Sequence, residues 1–145
     1  MENNKDLNDL YKLYPEAFDS RYTDGFYFEC GSGWYDIIEP VIKAIEAYNK
    51  SISDAEKEQW EYWKLYPVQV KEKFGTLRFY TNFGATSVDE AINKAEQLSC
   101  TTCMTCGKPG QLMAARWLYT ACPEHTREGD EPYDVRRQRF MDEQN

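Results

Sequence analysis

A chain of 145 residues, 41% apolar and 15% aromatic, is long enough for one compact domain with a buried core and far too aromatic for a disordered tail. Its formal net charge of −8 argues against the uniformly basic surface on which most nucleic-acid binding depends. No run approaches the roughly 20 apolar residues of a membrane span. The opening MENNKDLNDL lacks the basic and apolar regions of a secretory signal, so the cytoplasm is the expected compartment.

The charge is unevenly spread. Residues 1–66 hold 7 basic against 14 acidic residues, residues 67–82 hold 3 against 1, and residues 83–145 hold 7 against 10. Taken in order, residues 1–10 read as a frayed polar lead-in. Leu10, Tyr11, Leu13, Tyr14 and Phe18 then recur at helical spacing, which predicts a short amphipathic helix interrupted at Pro15. Asp24 and Gly25 mark a turn, followed by a strand over 26–30 in which Cys30 serves as a small buried hydrophobe.

Ser32 is placed to cap the main core helix, whose inner face is Trp34, Ile37, Ile38, Val41, Ile42, Ile45 and Tyr48. Pro40 within it predicts a kink or a restart, and Asp36, Glu39, Lys43 and Glu46 fall on its wet side. Ser53 with Glu56 has the spacing of a capping box, opening a polar helix that carries Trp60, Tyr62 and Trp63. Its two tryptophans are either a lid over the core or an interaction surface.

The stretch PVQVKEKFGTLRFYTN alternates as a hairpin, with Val68, Val70, Phe74, Leu77 and Phe79 inward and Gln69, Lys71, Lys73, Arg78 and Tyr80 outward. Gly75 at the first central position of a two-residue loop predicts a type II′ turn, with Phe74 facing Leu77 and Lys73 facing Arg78. Like charges directly opposed are unfavourable. The trio Lys71, Lys73 and Arg78 therefore implies either neighbouring acids from the N-terminal half or an anionic partner. Glu72 falls on the inward face and needs a partner there, with Arg21, Arg116 and a backbone amide the candidates. Ser87 with Glu90 reads as a second capping box, opening a helix through Ala91, Ile92, Ala95 and Leu98.

That helix delivers the chain to its densest chemistry. Cys103 and Cys106 stand in C-x-x-C spacing, and after fifteen residues Cys122 and His125 follow in C-x-x-H spacing. Such pairs suit a structural zinc ion, because two intervening residues let a tight turn aim both sulfurs at one metal. Gly107 permits the left-handed turn after Cys106, the segment between the pairs is long enough for a short hairpin, and Pro123 suits a first helical turn. Knuckle, hairpin and two ligands at a helix start is the order of a treble-clef finger. Cys100 precedes Cys103 at the same spacing, so either neighbouring pair can in principle clamp the ion. The glycine after Cys106 favours the second pair, leaving Cys100 spare. After His125 the chain is charged and weakly periodic.

The expected architecture is an α+β single domain of antiparallel hairpins packed on amphipathic helices. Residues 1–99 form its core, 100–127 a treble-clef-like zinc finger, and 128–145 a charged tail or a loosely docked helix. The blocks FECGSGWYDII, QVKEKFGTLRFY and CMTCGKPG with the later WLYTACPEH resemble a group of small bacterial and phage proteins of zinc-finger type, over roughly residues 14–125. That resemblance implies a prophage or mobile-element setting, in which small acidic proteins block a host or rival factor by binding it.

There is no P-loop, G-x-G-x-x-G, H-E-x-x-H or nucleophile elbow, and the sole histidine is assigned to the metal. The expected function is therefore non-enzymatic. The chain reads as an acidic binding protein held by structural Zn2+ and acting on a protein partner as an inhibitor or immunity-type factor. Lys71, Lys73, Arg78, Tyr80, Trp60 and Trp63 are its candidate binding surface. The alternative is nucleic-acid binding through the basic hairpin face and through Lys108 and Arg116 of the zinc hairpin.

Overall fold

A computed structural model describes residues 5–55 and 63–144. The chain is α+β, with α1 (Leu10–Leu13), α2 (Ser20–Thr23), α3 (Tyr35–Ala55), α4 (Thr86–Ser99) and α5 (Tyr133–Gln144). Six strands accompany them: β1 (Phe28–Glu29), β2 (Pro67–Lys73), β3 (Thr76–Thr81), β4 (Gln111–Ala114), β5 (Leu118–Ala121) and β6 (Glu131–Pro132). They form two three-stranded sheets, ordered β1-β2-β3 and β5-β4-β6. The first pairs β1 parallel to β2 and β2 antiparallel to β3, and the second is antiparallel throughout.

The core follows the helical periodicity of α3. Ile38, Val41, Ile42 and Ile45 are fully buried there and join Val70, Leu77 and Phe79 from the first sheet and Val88, Ile92 and Ala95 from α4. Pro40 does not restart the helix, which runs continuously from Tyr35 to Ala55. Ser53 therefore lies inside α3 rather than opening a new helix, and Glu56, Trp60 and Tyr62 lie outside the described residues. Glu46, expected in solvent, is buried because its carboxylate accepts the Ala17 amide at 2.8 Å. The lead-in is also tighter than its polarity suggests. Leu7 is buried in a 3-10 turn over Leu7–Asp9 that Asp6 caps, and its amide donates to the Ser32 hydroxyl.

One buried amide joins three segments of this layer. Asn49 of α3 donates from Nδ2 to the carbonyls of Glu16 and Leu65 and accepts the Leu65 amide at Oδ1, each at 2.8 Å. Beside β1, the rings of Tyr11, Phe18, Phe26 and Phe28 pack edge to face and tilted. Cys30 packs against the core, where burial first, with Glu29 and Glu72 adding, pushes its thiol up to about 12.

The β2–β3 hairpin forms with a different turn. Phe74 and Gly75 are its loop residues, both with positive φ (54° and 85°), so the turn is of the I′ kind. Lys71 faces Arg78, Glu72 faces Leu77 and Lys73 faces Thr76. Moving the turn by one residue slides the strands by two relative to the expected pairing, an even slip that keeps Val70, Leu77 and Phe79 inward but puts Phe74, expected inward, in the loop and 66% exposed. Glu72 finds the backbone-amide option among its expected partners, accepting the Gly75 N–H. Val68 faces out because the ladder slips between Pro67 and Gln69.

Helix α4 begins at Thr86 after an Ala85 cap, so Ser87 and Glu90 lie within its first turns, and Leu98 faces outward while Val88 and Ser99 face in. This helix also covers the open edge of β3. The Leu77 amide donates to Ser99 Oγ at 2.9 Å and the Phe79 amide to Glu96 Oε2 at 3.0 Å, groups that an uncovered edge would offer to another strand.

Candidate metal centre

The second sheet begins where α4 ends. From Cys103 the chain makes a tight knuckle in which the Gly107 amide donates to the Cys103 carbonyl at 2.9 Å and the Cys103 amide to the Lys108 carbonyl at 2.8 Å. Gly107 takes φ 83°, the left-handed geometry expected of it. β4 and β5 then run out and back as the predicted hairpin. Cys122 follows β5 directly, and a 3-10 turn over Pro123–His125, with proline at its start, returns His125 toward the knuckle.

Cys103, Cys106, Cys122 and His125 consequently converge, with one donor atom from each lying within 4.8 Å of all the others. Cys106 Sγ to Cys122 Sγ is 3.6 Å, Cys103 Sγ to His125 Nδ1 is 3.6 Å, and Cys122 Sγ to His125 Nδ1 is 3.2 Å. A tetrahedral ion with bonds of about 2.3 Å to sulfur and about 2.0 Å to nitrogen needs edges of about 3.8 Å and 3.5 Å. The residues therefore fit a metal ion, and the three cysteines are buried. Cys100 lies outside the set: it is exposed, and its thiol donates to the Glu96 carbonyl at 3.6 Å.

The electrostatics favour a thiolate at Cys103 and a thiol at Cys106. Burial would raise Cys103, but the amides of Cys122, Cys106 and Thr105 outweigh it and hold the thiol down at about 6. Cys106 is pushed up to about 11, by burial first and then by the neighbouring sulfurs. His125 is raised by its hydrogen bond to Cys122 and, more weakly, to Cys103. A cation entering the cluster relieves this crowding by displacing the protons the donors share.

What positions the knuckle lies mostly outside the motif. Gly33 N–H donates to the Met104 carbonyl at 2.9 Å, and Trp34 Nε1 donates to the Thr102 carbonyl at 2.9 Å. A β-carbon on Gly33 would sit 2.5 Å from the carbonyl oxygens of Cys103 and Met104, and one on Gly31 would sit 2.3 Å from that of Met104. Only glycine admits the knuckle backbone so close. On the other side, Thr120 Oγ1 donates to the Gly75 carbonyl at 2.7 Å, and a β-carbon on Gly75 would lie 2.4 Å from Leu112 Cδ1. The three sequence blocks thus meet around one cluster. The helical spacing explained Trp34 as core, but nothing in it marked the glycines as seats for the knuckle. Their only signal was their presence beside aromatic residues in GSGW and KFG.

After His125 the chain closes the sheet. β6 pairs with β4, Tyr119 donates its hydroxyl to Asp130, and Arg136 donates to the Ala115 carbonyl at 2.6 Å. Arg127 sits 4.7 Å from the Trp117 and Tyr119 ring centroids. No described residue of α5 is buried.

The remaining candidate residues lie elsewhere. Lys71, Lys73, Arg78 and Tyr80 share the outward face of the first sheet, Trp63 is 52% exposed ahead of β2, and Trp60 lies outside the described residues. Lys108 is engaged by Glu124 at 3.2 Å, whereas Arg116 is exposed at the hairpin turn. No helix among the described residues is long and apolar enough to cross a membrane. No protein-family model, curated protein or solved structure matches the chain.

Proposed function

We propose that this chain is a non-enzymatic binding protein in which Zn2+, held by Cys103, Cys106, Cys122 and His125, has a purely structural role. The observation that carries this reading is the closed donor set: four protein ligands at tetrahedral spacing leave no position for water or substrate. Three thiolates with one imidazole are also the donors that zinc prefers over harder ions. Knuckle, hairpin and a ligand-bearing turn give a treble-clef-like order, although the turn at Pro123–His125 is 3-10 and the next α-helix begins only at Tyr133.

Recognition then belongs to the surface. The N-terminal half exposes Asp6, Asp9 and Asp24, and Trp63, 52% exposed, is available as an aromatic anchor. Such a surface suits a basic protein partner, with complementary charge speeding encounter and the ring supplying contact area. An inhibitor or immunity-type role is the form this takes in a mobile-element setting. Elemental analysis of the native protein, with affinity capture from host lysate followed by cross-linking, tests both halves. One zinc per chain and a basic protein cross-linked near Trp63 are expected. Metal-free native protein, or capture unaffected by Trp63→Ala, would refute the reading.

A further inference from the structure

We propose that the outward face of the β1-β2-β3 sheet is a binding site for single-stranded nucleic acid. α3 and α4 share the core with the inner face of this sheet, while on its outer face Lys73 and Tyr80 are exposed and Lys71 and Arg78 half-buried. Lys71 and Arg78 stand directly opposed there, with Lys73 next along β2. None of the three forms an ion pair with a described residue; Glu29 of β1 stands in register beside Lys71, so a single acid of the N-terminal half lies alongside three cations. Glu72 turns inward to the Gly75 amide, and Glu29 accepts from Gln69 at 3.1 Å. Arg78 is braced by Thr76 Oγ1 at 2.7 Å and its own Leu77 carbonyl at 3.2 Å through Nη1 alone, leaving Nε and Nη2 for an incoming acceptor.

Aromatic rings interleave with these cations. Tyr80 is 46% exposed and Phe74, beside Lys73 at the hairpin tip, is 66% exposed. Neither ring stacks on another described aromatic ring. Cations spaced along a strand face suit phosphates, and the exposed Tyr80 ring beside them suits an unstacked base, whereas the Phe74 ring already carries Lys73 5.7 Å from its centroid. A symmetric second copy on this face would oppose the same three cations, and the carboxylates of an acidic peptide would meet the cations without stacking on the rings. The net charge of −8 does not forbid the site, because beyond the Debye length of about 8 Å at physiological salt the remote acids are largely screened.

Fluorescence anisotropy with a labelled 12-nucleotide oligothymidylate tests this on the full-length zinc-loaded protein. Three neutralised phosphates predict a salt slope of about −2, hence roughly 20-fold weaker binding at 200 mM than at 50 mM salt. Tyr80→Ala should weaken binding about tenfold or more, with Tyr80→Phe retaining it. Lys71→Gln with Arg78→Gln should bring the slope to about −0.7. Unchanged zinc content and melting temperature would show each variant folded, as expected for substitutions on an outward face. Absence of binding at 50 mM salt, equal affinity for duplex DNA or for polyglutamate, or indifference to Tyr80→Ala in a folded variant would each overturn the proposal.

Discussion

Single residues here act where two backbones meet. Gly33 admits the carbonyls of Cys103 and Met104 to within 2.5 Å of where a β-carbon would stand. Gly33→Ala should therefore destabilise the fold by about 1–3 kcal/mol and loosen metal binding together, measurable by thermal unfolding and zinc-chelator competition. Asn49 serves as a polar rivet with three short hydrogen bonds inside the core. Asn49→Ala leaves the Leu65 amide buried without its acceptor, and chemical denaturation should show a loss of about 2–4 kcal/mol. Among the cysteines, Cys100→Ser should leave zinc stoichiometry untouched while Cys106→Ser lowers it, since only the second sulfur lies in the cluster.

At the scale of elements, the turn between β2 and β3 shows local preference yielding to contact. A type II′ turn would have kept Phe74 on the inner face, yet Phe74 takes φ 54°, a conformation that costs a side-chain-bearing residue about 1 kcal/mol. In the observed turn Gly75 takes the second loop position, where its carbonyl meets Thr120 and its α-carbon clears Leu112. The closing element, α5, has no buried face and is held by ion pairs instead. Arg139 and Arg136 grip Glu131, holding its carboxyl down at about 2, with Arg139 the larger influence. A depressed carboxylate contributes stability that is fully present above its unfolded value of about 4.5 and fades as pH falls toward 2. Amide exchange in α5 of the wild type compared with Glu131→Gln should thus differ at neutral pH and converge as pH approaches 2. The comparison cancels the effect of metal loss, which both proteins share.

For the whole molecule, the metal cluster is a joint between two sheets as well as a staple within one. Gly33, Trp34 and Gly75 contact the knuckle and its hairpin from the core side, so disorder in the β5-β4-β6 sheet removes partners from the core. Removing the metal with a chelator should lower the melting temperature by more than about 10 °C, with Trp34 fluorescence reporting the change along with the β5-β4-β6 sheet. Survival of the native Trp34 environment in metal-free protein would show that the two sheets are independent.

Much of this was legible in the chain alone, for local reasons. Helical spacing named the inner face of α3, period-two alternation named Val70, Leu77 and Phe79 as inward but misplaced Val68 and Phe74, and C-x-x-C with C-x-x-H named the four donors, because each pattern reports the geometry of its own short segment. Glu46, Ser99 and Glu96 could not be read as buried or edge-satisfying acceptors, since their partners at Ala17, Leu77 and Phe79 lie 17 to 29 residues away. The same holds for the glycines of GSGW and for the register of the β2–β3 turn. Sequence by itself determined the apolar residues of the α3 core face and the four donors that can bind metal. Only the tertiary structure decided where backbones touch, because close approach depends on surfaces brought together from distant parts of the chain.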